Sequence, residues 1–156
     1  MDDIKPFLRN LPMFQMFTPQ HLDIVAQALR VSTYPEGHAF TSQGIQGEGL
    51  YLLIDGNVKI TERDDIAGLV REVKELHGGE LFGLLSLLDN MPAAATCTAA
   101  TSCRAAALPR ETFHELFRIA PPVGQHLLYM IAVQLARDLQ NRNKSLRALL
   151  RREITA

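Results

Sequence analysis

Residues 78–100 read GGELFGLLSLLDNMPAAATCTAA, and their types and spacing suit anion binding. Gly78 and Gly79 break the chain after the charged stretch 71–74. An apolar turn over residues 81–88 follows, and Asp89, Asn90, Met91 and Pro92 read as a loop. Residues 93–100 are small and polar, as in an extended chain. A strand, a glycine-led helical turn and a return strand can cradle an anion. The free N–H groups of the first turn point at a phosphate, and glycine lets the backbone come close. Ser86, Thr96 and Thr98 offer hydroxyls, although half-buried strand positions account for the threonines equally well. Between His77 and Ser102 there is no Lys or Arg; the charges are Glu80 and Asp89.

The segment resembles the phosphate-binding cassette of the cyclic-nucleotide-binding domain family, whose pattern is roughly F-G-E-[LI]-[AS]-L-L, a loop, then P-R-x-A-[TS]. Here the matching residues are Phe82-Gly83-Leu84-Leu85-Ser86-Leu87-Leu88 and Pro92-Ala93-Ala94-Ala95-Thr96. The resemblance implies a pocket made by Gly83, Leu84, Leu85, Ser86, Ala93, Ala94, Ala95 and Thr96. The family's Glu, which holds a ribose hydroxyl, is Leu84 here; its Arg, which pairs with the cyclic phosphate, is Ala93. A bidentate, charge-assisted contact of that kind contributes about 1.5–3 kcal/mol, roughly ten- to more than a hundredfold in affinity. The usual cyclic-nucleotide contacts are therefore expected to be lost. Two consequences stay open: the leucine-rich turn packs down and closes the pocket, or the pocket takes a non-standard cyclic nucleotide, a less charged ligand or a partner's apolar side chain.

The elements that must position this cassette follow from periodicity. Thr18 and Pro19 mark a helix start, as N-cap and first helical residue. Leu22, Val25, Ala26 and Leu29 then fall at helical spacing. An earlier short helix is expected over residues 4–10. From position 30 the period changes to short strands at 31–34, 39–41, 50–54, 58–61, 69–76 and 104–108, with a hairpin turn at Asp55-Gly56. Such spacing predicts an antiparallel β-roll, jelly-roll-like, within an α+β fold. The run Gly49-Leu50-Tyr51-Leu52-Leu53-Ile54-Asp55-Gly56-Asn57-Val58-Lys59-Ile60 is also similar to the family's β-roll, and the resemblance extends over about residues 5–150. One module is expected: a helical lead-in at 1–29, the roll at 30–108 and helices at 109–151.

The last helix should run from about Val123 to Arg151. Ala132, Leu135, Leu139, Arg142, Leu146 and Leu149 step by 3 and 4 alternately, the coiled-coil pattern broken by Arg142. Beyond Leu139 the helix is too long for a small roll to cover, so it predicts a homodimer through this helix, together with a protein partner. Arg147, Arg151 and Arg152 read as a solvated helix end. Family members that regulate transcription carry a helix-turn-helix after this helix, whereas only residues 152–156 follow here. No DNA partner is expected on that ground and on the net charge of −1.

The remaining constellations point away from catalysis. His21, His38, His77, His114 and His126 show no His-x-His or i, i+4 pairing, so no metal is expected. Ser86 is in no nucleophile elbow. Cys97 and Cys103, six apart, fit no common ligand motif and read as free thiols. His77 reads as a surface-loop histidine and Glu80 as a brace for the turn. The acidic start Met1-Asp2-Asp3 lacks a signal-peptide pattern, and no apolar run reaches the roughly 20 residues of a membrane span. The expectation is a regulatory, non-enzymatic, cytoplasmic protein with no catalytic, metal or cofactor residues.

Overall fold

The structure, a computed structural model, describes residues 3–88 and 91–155. Met1, Asp2, Asp89, Asn90 and Ala156 lie outside the described residues, and with them the middle of the loop expected at 89–92. Helix α1 (Lys5–Arg9), a 3-10 turn (Pro12–Phe14) and α2 (Pro19–Ala28) form the lead-in. Thr18 caps α2 as its position predicts: its Oγ1 accepts from the His21 N–H at 3.1 Å. Leu22 and Val25 give α2 its buried face.

The strands are β1 (Arg30–Tyr34), β2 (Ala39–Thr41), β3 (Gly49–Asp55), β4 (Val58–Arg63), β5 (Val70–Leu76), β6 (Leu81–Phe82), β7 (Thr96–Ala99) and β8 (Cys103–Pro109). Among the described residues they make two four-stranded antiparallel sheets, ordered β1-β8-β3-β6 and β2-β7-β4-β5. The expected mixed helix and antiparallel roll is what the chain forms. Between β6 and β7 lies α3 (Leu85–Leu88), and α4 (Arg110–Ile119) and α5 (Pro121–Thr155) close the chain. The apolar stretch 81–88, expected as a turn, is a short strand followed by one helical turn.

The first sheet is covered on both faces, which explains why its central strands read as nearly continuous apolar runs. Along β3, Leu50 and Leu52 face the helices, whereas Leu53 and Tyr51 face the other sheet. Along β8, Ala106 and Leu108 join the helical side, and Cys103 and Ala105 the inter-sheet side. That split follows the period-2 alternation of a strand. Phe40, Phe82, Val58 and Leu76 complete the inter-sheet core. The second sheet is open to solvent at β5, where Val70 to Glu75 are exposed and four of the six are charged. At the β3–β4 turn Gly56 has φ +92°, and a Cβ there would lie 2.5 Å from the Ser102 carbonyl oxygen. Cys97 and Cys103 are both buried free thiols.

Helix α5 begins at Pro121, two residues before the expected start, because proline is tolerated in a first helical turn. Val123, Leu127 and Ile131 bury its first turns against the core, and Leu135 packs on the rim of the same cluster. Leu139, Leu146 and Leu149 are exposed.

Stability should follow this partition. Leu53→Ala removes a side chain with no exposure, and it should cost about 2–5 kcal/mol in urea unfolding. Leu69→Ala, at an exposed position, should stay within about 0.5 kcal/mol of wild type.

Candidate functional site

The cassette is built on two short ladders. On its entering side, Leu81 and Phe82 of β6 pair with Leu52 and Tyr51 of β3. The chain then turns at Gly83, where φ is +75° and a Cβ would stand 2.9 Å from the Gly49 carbonyl oxygen. Tight i to i+3 bonds close α3: the Ser86 N–H donates to Gly83 O at 3.3 Å and the Leu87 N–H to Leu84 O at 3.2 Å.

The returning side is held by a loop of the second sheet. The Ala93 N–H donates to Ile45 O and the Gly44 N–H to Ala93 O, both at 2.9 Å. Buried Thr41 does two jobs with one hydroxyl: it donates to Ala95 O at 3.0 Å and accepts from the Cys97 N–H at 3.2 Å. The Gln43 N–H donates to Thr96 Oγ1 at 3.0 Å. At Thr96 the cassette strand leaves β4, the pairing of the two ending with Thr61 opposite Thr96. The Gln43 carboxamide takes its place, donating to Arg63 O at 3.0 Å and accepting from the Arg63 N–H at 2.6 Å.

These contacts sort the expected pocket residues. Gly83, Leu85, Ala93, Ala95 and Thr96 are half-buried and Ala94 is exposed. Ser86 is buried, so its hydroxyl is not offered to solvent. Leu84 is 6% exposed and, with Leu87, belongs to the cluster under the helices. The residue expected, by the resemblance, to stand at the ribose-holding position is therefore part of the helical core. Thr98, paired with Ala39 and Lys59, is an ordinary half-buried strand residue.

Electrostatically the cassette is quiet. Burial pushes the Tyr51 hydroxyl and the Cys97 thiol up from their ordinary values, so both are neutral near pH 7. Arg110 does reach the cassette, donating to the Ser86 carbonyl at 3.5 Å. That is the carbonyl end of α3, whereas an anion would meet the amide end. Glu80 braces the turn as expected, accepting from the His77 N–H at 2.7 Å and pairing with Lys74 at 3.3 Å. Among the described residues no three His, Cys, Asp or Glu side chains gather to hold a metal.

The open end of the roll carries the charge instead. Glu62 lies two residues beyond Ile60 on β4 and so shares the face that Ile60 turns to the inter-sheet core. Its side chain is only 16% exposed and pairs with Arg71, its cross-strand partner, at 3.6 Å. Arg142 of α5 reaches the same carboxylate. The residue expected to interrupt a helix seam thus ties α5 to the roll within one chain. Nothing local in the sequence marks Thr41, Gln43, Arg110 or this pair, because each contact joins residues far apart in the chain.

Residues 31–119 match the model of the cyclic nucleotide-binding domain. The chain belongs to the cyclic nucleotide-binding domain family. It is similar to the catabolite activator protein of Thermus thermophilus, with a TM-score of 0.74, 33% identity and coverage of 88% of this chain and 62% of that one. A cAMP-activated global transcriptional regulator of Mycobacterium tuberculosis is 28% identical over 141 residues, 90% of this chain and 61% of that protein. The regulatory subunit of a cAMP-independent protein kinase A from Trypanosoma brucei is also similar, in a triple mutant bound to cAMP in its A site. Its TM-score is 0.70 at 27% identity, over 88% of this chain and 46% of that one. This chain spans about three fifths of the length of the first two relatives. These relatives are regulators by name.

One expectation is corrected by them. DNA was set aside on the net charge and the absence of a reading element. The mycobacterial relative is a transcriptional regulator, and this chain matches 61% of its length. The charge of a matched part does not decide what the whole protein contacts, so the exclusion of DNA does not stand. No helix among the described residues is long and apolar enough to cross a membrane.

The cassette turn should tolerate no side chain at its pivot. Gly83→Ala forces a left-handed backbone on alanine and presses its methyl on the Gly49 carbonyl. It should cost about 1–3 kcal/mol, read as a lowered urea midpoint with an unchanged slope.

Proposed function

We propose that this chain is a non-enzymatic regulatory module whose cassette keeps its frame without the charged contacts to a cyclic nucleotide. It works through pairing of α5 with a second copy and through contact with a protein partner. The observation that carries this reading is the state of the two ligand positions. Leu84 is buried among the helices, and Ala93 presents a methyl where a cation would be needed. Isothermal titration with cyclic AMP and cyclic GMP should then give no micromolar heat; micromolar binding by the wild type would overturn the reading. Ala93→Arg should raise cyclic AMP affinity roughly ten- to a hundredfold. It is the cleaner restoration, because Leu84→Glu would put a carboxylate into an apolar core. The trypanosomal relative supports such a gain: the mutant bound to cAMP carries three substitutions, one of them threonine to arginine.

The exposed Leu139, Leu146 and Leu149 support pairing of α5, since isolated apolar residues in a row at 3- and 4-residue steps match a coiled-coil seam. Leu135 contributes less to such a seam than the pattern suggests, because it packs on its own core. Sedimentation equilibrium should report a dimer for the wild type and a monomer for Leu146→Lys with Leu149→Lys.

A second reading has its own observation. Arg71 and Arg142 converge on Glu62 at the open end of the roll, a cation supply that owes nothing to the cassette. A sensor of a cyclic mono- or dinucleotide through non-standard contacts would draw on them. A nucleotide panel that raises the melting temperature of the wild type, but not of Arg142→Gln, would favour that reading over the first.

A further inference from the structure

The distal half of α5 carries a charge that the rest of the chain does not. Six of the sixteen Lys and Arg, but two of the seventeen acids, fall in residues 137–153, in a chain whose net charge is −1. Those residues cover about 25 Å of helix at about 1.5 Å each.

Their arrangement is amphipathic on the side away from the roll. At about 100° per residue, Arg137, Lys144, Arg147 and Arg151 fall within an arc of about 80°. All four are exposed. Neither acid has a place in that arc, and none of the four cations has an acid three or four residues away. Asp138 accepts from the Gln134 amide at 3.0 Å. Lys144 and Arg147, and Arg147 and Arg151, stand as like charges at i, i+3 and i, i+4, which weakens a helix unless something neutralises them. Beside the arc, Leu139, Leu146 and Leu150 lie within about 40° of one another. They are exposed at 61%, 56% and 50%. Val123, Leu127 and Ile131, the row that holds α5 to the core, points to the opposite side of the helix. The roll therefore covers neither the leucines nor the cations.

Three kinds of occupant match parts of this face. A second copy pairs along the leucines and leaves the cations without a role. A phosphate backbone takes the cations and leaves the leucines in water. An anionic bilayer surface takes both, because aliphatic side chains enter the acyl boundary while flanking cations stay among the headgroups.

We propose that the distal half of α5 lies along an anionic bilayer surface, its leucines in the acyl boundary and its cations on the lipid headgroups. This is binding to a surface, not spanning. It does not depend on the cassette. The leucine row also serves the pairing proposed above, so the bilayer and a second copy compete for it.

Co-sedimentation of the full chain with vesicles tests it. Vesicles of phosphatidylcholine with about a third phosphatidylserine should carry the protein down, and phosphatidylcholine alone should not. Salt raised from about 0.1 to about 1 M should release it, since the screening length falls from about 10 to about 3 Å. Arg137→Gln, Lys144→Gln and Arg147→Gln together should weaken the partition about a hundredfold. Leu139→Ser with Leu146→Ser should weaken it at least tenfold, with circular dichroism unchanged because both positions are exposed. An environment-sensitive dye on Leu150→Cys should shift to the blue on anionic vesicles, the native thiols being buried. No sedimentation with anionic vesicles, equal sedimentation of the triple-cation variant, or binding without the blue shift overturns the proposal. Tighter binding to a random-sequence DNA duplex, retained in full by the leucine variant, overturns it too. The triple-cation variant changes nothing on the leucine row, so its sedimentation equilibrium should match the wild type. Failure with vesicles beside an intact dimer discards this surface and leaves the regulator reading standing.

Discussion

The cassette depends on side chains that stand in for backbone. A return strand that leaves its neighbour strips amides and carbonyls of their partners, and a buried polar group left unpaired costs about 1–3 kcal/mol. Thr41 closes one such gap, its hydroxyl set between Ala95 O and the Cys97 N–H. Gln43 closes the next, its carboxamide pairing with both main-chain groups of Arg63 as a strand would. Both are neutral, so these two joints of the frame need no charge. The shape of the return strand at these points is therefore set by neutral side chains and main chain.

Frame and grip are thus separate contributions. Burying a leucine stabilises a fold by about 1.5–3 kcal/mol, and a charged hydrogen bond gives a ligand a similar amount. With Leu84 packed under the helices, free energy of that size supports the fold rather than an affinity. The same exchange makes α3 a packing element: Leu84 and Leu87 hold it down, and Arg110 satisfies its carbonyl end. Gly83 then makes the turn that lets strand become helix within two residues.

What could be read beforehand follows the same division. The strands of the roll, the Thr18 cap and the Asp55-Gly56 turn are local events, governed by periodicity and turn chemistry. The apolar run at 81–88 was misleading in its first half because Leu81 and Phe82 are apolar for a sheet reason: they pair with β3 and bury on both sides. Periodicity reports that a residue is buried, not which element buries it. For that reason setting Leu84 beside the family's Glu gave no sign that it belongs to the helical core. Arg142 shows the complementary limit. Its place in a heptad-like row is local, whereas its partner Glu62 is 80 residues earlier in the chain.

That pair also bears on how α5 could carry a signal. The helix has two zones held by very different energies. Val123, Leu127 and Ile131 are buried, at about 1.5–3 kcal/mol each, and they fix the first turns to the core. Past Leu139 the helix touches the roll through Arg142 and Glu62, and an ion pair with one largely exposed partner contributes about 0–1 kcal/mol. A difference of one or two kcal/mol changes an equilibrium about five- to thirtyfold. The direction of the distal half is therefore the one its buried turns give a continuous helix, with little added by the pair of Arg142 and Glu62.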